Sequence, residues 1–224
     1  MIKHNGYTAA LYYNIAFREG KFASPYFDGK GIPTVGVGAN MTSEHIIREL
    51  SNQKIISNDT AVLLKKFKNL PPNEQSVLNQ QLKQIKLSEN QIQQLFVKSL
   101  TVAQKDTQRV LSRGKWETET DANDKSYMVW QDNVTGNSIW QKMPALVKAI
   151  CVDLSFNTGG NQLAKYKNFI KAVKAEDYRR AALELLDSKD FNNNINNRNT
   201  RGVAIRRRDA AIELTELADE CSEN

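Results

Sequence analysis

Apolar positions recur every three or four residues along most of this 224-residue chain, a spacing typical of amphipathic helices. The clearest example is residues 89–112, which follow a capping-box pattern formed by Ser88 and Gln91. Pro71 and Pro72 are expected to start another helix. The same periodicity predicts helices over 8–19, two within 43–68 that divide near Ser57–Asp59, and others over 144–156, 162–174, 176–187 and 203–219. The pattern indicates a mostly helical protein.

Residues 21–40 break the helical period. Prolines and glycines punctuate them, and the run "TVGVG" alternates β-branched residues with glycines, as a short bent strand does. We expect a small antiparallel sheet here. Glu19 then stands at the end of the predicted first helix, with Gly20 as the helix stop.

Two other stretches are less regular. Residues 114–142 are polar and mixed; "TGN" at 135–137 suggests a hairpin turn, and three tryptophans could serve as a sugar platform or as packing anchors: Trp116, Trp130 and Trp140. The asparagine-rich run 191–200 is predicted to be a loop.

The net charge of +6 draws the protein towards anionic polymers, which include nucleic acid, cell wall and membrane surfaces. The basic run "IRRRDAA" at 205–211 is interpreted as a solvated helix face. A nucleic-acid partner is disfavoured, because no binding module is recognisable and the tail that follows is acidic. The glycines at 31 and 36 lack the lysine of a phosphate-binding loop, so nucleotide binding is rejected.

The two cysteines, Cys151 and Cys221, are predicted to be free thiols, and His4 and His45 have no partners at metal-ligand spacing. No metal and no cofactor are expected. No apolar run is long enough for a membrane helix, and the N-terminus lacks a recognisable signal peptide. We therefore expect no stable membrane insertion and synthesis in the cytoplasm.

Glu19, Asp28 and Thr34 suggest hydrolytic chemistry. Cleavage of a glycosidic bond needs a protonated acid for the leaving oxygen and a second carboxylate that acts as nucleophile or holds a water. A helix end facing a sheet can supply a partly dry pocket for the acid, while a polar turn suits the second carboxylate. A threonine hydroxyl can orient a water. Alone, two acids and a threonine are compatible with ordinary solvated residues.

The spacing resembles that of the phage-type lysozymes (T4-lysozyme-like muramidases, glycoside hydrolase family 24). Their Glu-Gly, aromatic-x-Asp and Thr-Ile-Gly-x-Gly motifs read here as Glu19-Gly20, Tyr26-Phe27-Asp28 and "TVGVG" at 34–38. The segments "ALVKAICVDLSFNTGG" and "NTRGVAIRRRDAAIEL" are similar to the family's central and C-terminal helices. The chain departs from the family at Ala39, where a His is frequent, and in extra segments over 41–87 and 114–143.

The resemblance implies an α+β, mostly helical, two-lobed lysozyme fold in one domain over 1–224. The N-terminal lobe would cover about 14–88 with the active-site sheet, the connecting helix about 89–112, and an all-helical C-terminal lobe about 113–224 together with the first helix.

The implied activity is hydrolysis of the β-1,4 bond between N-acetylmuramic acid and N-acetylglucosamine, with Glu19 as general acid and with Asp28 and Thr34 positioning the attacking water. The family register places substrate-binding positions at Asn40, Phe156, Phe169 and Glu184, and it suggests Arg201 as a charge partner of Glu19.

The implied partners are peptidoglycan strands, with an immunity or inhibitor protein if the enzyme is an effector; a monomer is expected. The site of action would be the cell wall, in the periplasm or outside the cell, after release or secretion by other machinery. Three alternatives stay open: a phage lysis or tail enzyme, a secreted antibacterial effector with the same chemistry, and an inactive wall-binding module on the same fold.

Overall fold

The computed structural model describes Ile15 and residues 20–112, 116–120, 126–130, 136–197 and 201–222. This part of the chain is mostly helical with a small antiparallel sheet near its N-terminal end, as expected for an α+β protein. The predicted first helix, 8–19, lies outside the described residues except for Ile15, which is helical and fully buried. The chain divides into two compact units, 1–102 and 103–224.

From Gly20 onwards, the first unit contains three strands followed by helices. Its elements in chain order are β1 (Phe22–Phe27), β2 (Pro33–Gly36), β3 (Ala39–Asn40), α1 (Glu44–Asn52), α2 (Asn58–Lys65), a 3-10 turn (Phe67–Asn69), α3 (Pro72–Lys83) and α4 (Glu89–Ser112), which runs on past the division between the units. Each of the helices α1 to α4 buries a leucine completely: Leu50, Leu64, Leu78 and Leu95. These apolar stripes are the ones that the helical period indicated.

The sheet has the order β1-β2-β3 with both pairs antiparallel, which confirms the sheet predicted over 21–40. Its register sets Tyr26 opposite Thr34 and Thr34 opposite Asn40. An irregularity between Phe22 and Tyr26 contains Pro25, which has no N–H to give to a ladder. Gly36 and Gly38 have φ angles of +66° and +65°, so the chain can reverse between β2 and β3.

Several helix boundaries agree with their sequence signals. Ser57 accepts from the amide of Thr60 and so separates α1 from α2. The amide of Ser88 donates to Gln91 Oε1 at 2.8 Å and the amide of Gln91 donates to Ser88 Oγ at 3.3 Å, which is the predicted capping box. The long helix predicted over 89–112 has those same bounds.

The second unit contains a hairpin and then helices. After β4 (Trp116–Thr120) and β5 (Ser126–Trp130) its elements are α5 (Gly136–Lys142), α6 (Ala145–Thr158), α7 (Gly160–Leu163), α8 (Lys167–Lys174), α9 (Tyr178–Leu186), α10 (Lys189–Asn194) and α11 (Arg201–Ser222). Side chains of α6, α8, α9 and α11 share one apolar core that includes Leu154, Phe169, Leu185 and Leu214. The core helix expected over 144–156 is confirmed.

Three expectations for this unit need correction. It is not all helical, because β4 and β5 form an antiparallel pair with Trp116 opposite Trp130. "TGN" is not a hairpin turn, since a helix begins at Gly136; small polar residues favour helix starts as well as turns. The asparagine run is partly helical, because the side chain of Ser188 caps α10 by accepting from Phe191 N at 3.2 Å.

The helix predicted over 162–174 is interrupted. Gly159 takes a φ of +83°, a short helix follows, and Tyr166 leaves helical geometry with ψ of 56° before α8 starts. The periodicity did not show this break because apolar residues continue on both sides of it. Both cysteines are free, as predicted. Within the described part of the chain, no helix combines the length and apolarity needed to cross a bilayer.

Candidate active site

Asp28 closes the hairpin between β1 and β2. Its Oδ1 accepts the amides of Lys30 and Ile32, both at 2.8 Å. The backbone of Asp28 adds two more hydrogen bonds, from Asp28 N to Ile32 O at 3.0 Å and from Gly31 N to Asp28 O at 2.9 Å. This is an Asx-type turn, which favours aspartate or asparagine. The second carboxylate oxygen, Oδ2, accepts from none of the described residues and is left for a water or a ligand.

Thr34 lies on β2, directly after the hairpin, and is only 4% exposed. Its hydroxyl donates to Ile32 O at 3.1 Å. Since the proton is directed to the backbone, the oxygen lone pairs are the part of this hydroxyl that can accept a hydrogen bond from a water.

Asn40 completes the polar edge of the sheet. It is the direct neighbour of Thr34 on β3, and its Oδ1 accepts from Thr42 N at 2.8 Å and from Thr42 Oγ1 at 2.7 Å. The carbonyl oxygen of this amide therefore holds the chain at the approach to α1. Thr34 and Asn40 thus lie on paired strands of the sheet and Asp28 lies in the turn that joins β1 to β2, whereas Glu19 lies outside the described residues.

The other candidate residues belong to the second unit. Phe169 is 1% exposed in the apolar core, and Phe156 is half-buried near the end of α6. Glu184 forms an ion pair with Arg180, one helical turn earlier on α9. Arg201 is exposed at the first position of α11. Among the tryptophans, Trp140 packs against the core with the Lys148 ammonium 5.6 Å from its ring centroid, and the side chains of Trp116 and Trp130 lie outside the described part.

The basic run "IRRRDAA" is not simply a solvated face, so that prediction is wrong for two of its arginines. Arg207 is fully buried and Arg206 is 6% exposed, while Arg208 is exposed as expected. The signal was present in the helical register, because Arg207 falls three residues after Ala204 and four before Ala211, both of which are buried.

Buried Arg207 is compensated by a polar cluster. Its Nε donates to the Tyr166 hydroxyl at 3.3 Å, and its Nη2 lies 3.5 Å from Asn157 Oδ1 and 3.6 Å from Asp190 Oδ2. The Tyr166 hydroxyl in turn donates to Asp190. Burial raises the pKa of Tyr166 to about 12, with the Asp190 hydrogen bond acting in the same direction and Arg207 opposing it. Sequence reasoning missed this cluster because its members are separated by up to 50 residues.

Among the described residues, no three His, Cys, Asp or Glu side chains group together in a way that could hold a metal ion. Comparison with family models and with curated proteins gives no match for this chain. The assignment of function therefore depends on the motif of residues 19–38 and on the geometry of the sheet that carries it.

Proposed function

We propose that this protein is a peptidoglycan hydrolase of the phage-lysozyme type. The observation that carries the proposal is the state of Asp28: two backbone amides fix one carboxylate oxygen, and the other accepts from none of the described residues. A carboxylate held in this way is pre-oriented, which is what positioning a nucleophilic water requires.

In the proposed reaction, Glu19 donates a proton to the leaving glycosidic oxygen. Asp28 accepts a hydrogen bond from the attacking water at Oδ2, and Thr34 accepts a second one at Oγ1. The water attacks the anomeric carbon from the far side of the sugar ring and gives up its proton to Asp28, while the glycosidic C–O bond breaks and the configuration inverts. No cofactor takes part in this reaction scheme.

The remaining residues have supporting roles in the proposal. Arg201 acts as a charge partner of Glu19. Asn40, Phe156 and Glu184 are substrate-binding positions that the family register implies. Phe169, the fourth such position, is buried in the apolar core and is assigned packing rather than substrate contact. The fold is that of a two-lobed lysozyme with the catalytic sheet in the N-terminal lobe. The substrate is the β-1,4-linked glycan of the cell wall, and the protein acts as a monomer on the wall.

The test is clearance of purified peptidoglycan by the parent and by Glu19→Gln. Glutamine is a comparable helix former but cannot donate a proton as a carboxylic acid does. General acid catalysis typically contributes ~10²–10⁴ in rate, so we expect a loss of at least that size with binding to wall fragments retained. Clearance by the folded glutamine variant at close to the parental rate would exclude Glu19 as the acid. A parent that binds wall fragments but does not clear them would indicate a wall-binding module.

A further inference from the structure

An aromatic contact joins the extra segment of this chain to the hairpin that carries Asp28. The rings of Phe27 and Phe67 stack with their centroids 6.4 Å apart and their planes at 25°. Phe27 is the last residue of β1 and directly precedes Asp28, whereas Phe67 opens the 3-10 turn after α2. Residues 41–87 are one of the two extra segments, beside 114–143, in which the sequence departs from the phage-type lysozymes, so the resemblance does not supply this contact.

The contact leaves apolar surface exposed to solvent. Phe27 is 48% exposed and Phe67 is half-buried. A phenylalanine has no polar group that gains from exposure to water, so its exposed surface favours a partner that can cover it.

Lysines neighbour both members of this aromatic pair in the chain. Phe67 is flanked in the chain by Lys65, Lys66 and Lys68, and Lys30 belongs to the hairpin turn itself; all four side chains are exposed. Within the described residues, none of the four forms an ion pair with a carboxylate. In the stretch from Asp59 to Leu70, three lysines stand against one aspartate, a net charge of +2. We call the set formed by the two phenylalanines, Phe27 and Phe67, and the four lysines the Phe67 surface.

We propose that the Phe67 surface binds the acidic peptide stems of peptidoglycan next to the bond that is cleaved, a role that rests on the proposed function. Stem peptides carry several carboxylates on a partly apolar chain, and the surface offers four exposed lysines together with two partly exposed aromatic rings. Its place beside Asp28 sets this contact close to the scissile bond. Exposed ammonium–carboxylate pairs are individually weak and screened by salt, so the lysines act together and strengthen binding at low ionic strength.

The first experiment measures co-sedimentation with sacculi that lack phosphate-containing polymers, using the Glu19→Gln protein so that the sacculi stay intact. The test variant carries Lys65→Gln, Lys66→Gln and Lys68→Gln. The control variant carries Lys83→Gln, Lys86→Gln and Lys105→Gln, which removes the same charge from other exposed positions. We expect the apparent Kd of the test variant to rise about ten-fold, and that of the control to change by less than about two-fold. Equal weakening in both variants would overturn the proposal, since net charge alone would explain it.

The second experiment compares intact sacculi with glycan from which an amidase has removed the peptides. The ten-fold difference between test and control variants should disappear on the peptide-free glycan. Phe67→Ala should weaken binding to intact sacculi roughly three- to ten-fold, while Val77→Ala, another exposed apolar position, should not. A lysine effect that persists on peptide-free glycan, or an equal lysine-dependent retention by anionic lipid vesicles, would overturn the assignment to peptide stems.

The two proposals fail separately. Reducing ends released by the protein with Glu19 intact are measured on the same sacculi. Absence of reducing ends with lysine-dependent binding retained would refute the hydrolase and leave the Phe67 surface as a wall-binding site. Release of reducing ends at equal apparent KM for the parent and the lysine test variant would leave the hydrolase standing and refute this surface.

Discussion

The two substitutions Asp28→Asn and Asp28→Ala separate the structural role of this residue from its chemical one. Asparagine keeps an oxygen that can accept the amides of Lys30 and Ile32, and it replaces Oδ2 by an NH₂ group. Alanine removes both acceptors. The asparagine variant should therefore fold normally and be inactive, whereas the alanine variant should be both inactive and less stable.

The size of the stability difference follows from the two hydrogen bonds. Each contributes about 0.5–1.5 kcal/mol, so Asp28→Ala should lower the free energy of unfolding of the unit that contains the hairpin by about 1–3 kcal/mol. For a chain of this length a loss of ~2 kcal/mol corresponds to a fall of ~4–8 °C in the melting temperature. Asp28→Asn should stay within ~0.5 kcal/mol of the parent, as asparagine also suits this type of turn.

The assay pairs thermal unfolding followed by circular dichroism with the rate of reducing-end release from sacculi. Loss of the positioning carboxylate should reduce turnover by ~10²–10⁴ in both variants. Near-parental turnover of Asp28→Asn would show that the carboxylate charge is not needed and that Asp28 is a turn residue. Equal melting temperatures of the alanine and asparagine variants would show that the two hydrogen bonds to Oδ1 do not hold the hairpin.

Four further substitutions, one pH titration and one thiol-labelling experiment test other parts of the structure. Thr34→Val should reduce turnover but lower the free energy of unfolding by less than ~1 kcal/mol, because Ile32 O still accepts from Asp28 N. A variant that is less stable but keeps full turnover per folded molecule would show that the hydroxyl has a structural role. Gly160→Ala should lower the free energy of unfolding in urea by about 1–3 kcal/mol, since the new Cβ would lie 2.5 Å from Asp106 Cβ. Gly202→Ala, whose new Cβ meets no atom within 4 Å in α11, should raise it by ~0.5–1 kcal/mol. Equal effects of the two substitutions would refute the close contact at Gly160. Burial raises the pKa of Cys151 from 9.0 to about 12, so the unfolded chain loses the thiol proton at a lower pH than the folded chain does. The free energy of unfolding of the parent should therefore fall between pH 9 and 12, and it should fall less in Cys151→Ala. At pH 8 a thiol reagent should label exposed Cys221 quickly and Cys151 only on unfolding; fast labelling of both would contradict the burial.

The local part of the fold was predictable because its signals are local. The capping box at Ser88 and Gln91 and the proline at the start of α3 mark helix starts within a few residues, and the glycines of "TVGVG" mark the turns of the sheet. The candidate site was found in the same way, since the motif from Glu19 to Gly38 spans only 20 residues. The structure adds the hydrogen bonds from the amides of Lys30 and Ile32 that hold the Asp28 carboxylate.

Long-range features were not predictable from the pattern. The buried state of Arg207 depends on Tyr166, Asp190 and Asn157, which approach it only in the folded chain. The stacking of Phe27 on Phe67 likewise joins residues 40 positions apart. The hairpin of β4 and β5 pairs two neighbouring runs, "WETET" and "SYMVW", whose aromatic and β-branched residues favour strands, so a local signal was present and was missed. The helical register places Arg207 among buried alanines, but the partners of Arg207 and of Phe27 lie far away in the sequence and cannot be read from the local pattern.

The products released from purified peptidoglycan distinguish hydrolysis of the glycan from binding alone. We expect new reducing ends that are N-acetylmuramic acid, formed first as the α-anomer by inversion, and no such products from Glu19→Gln. Release of free amino groups without reducing ends, or no release at all by a folded protein that binds sacculi, would contradict this expectation.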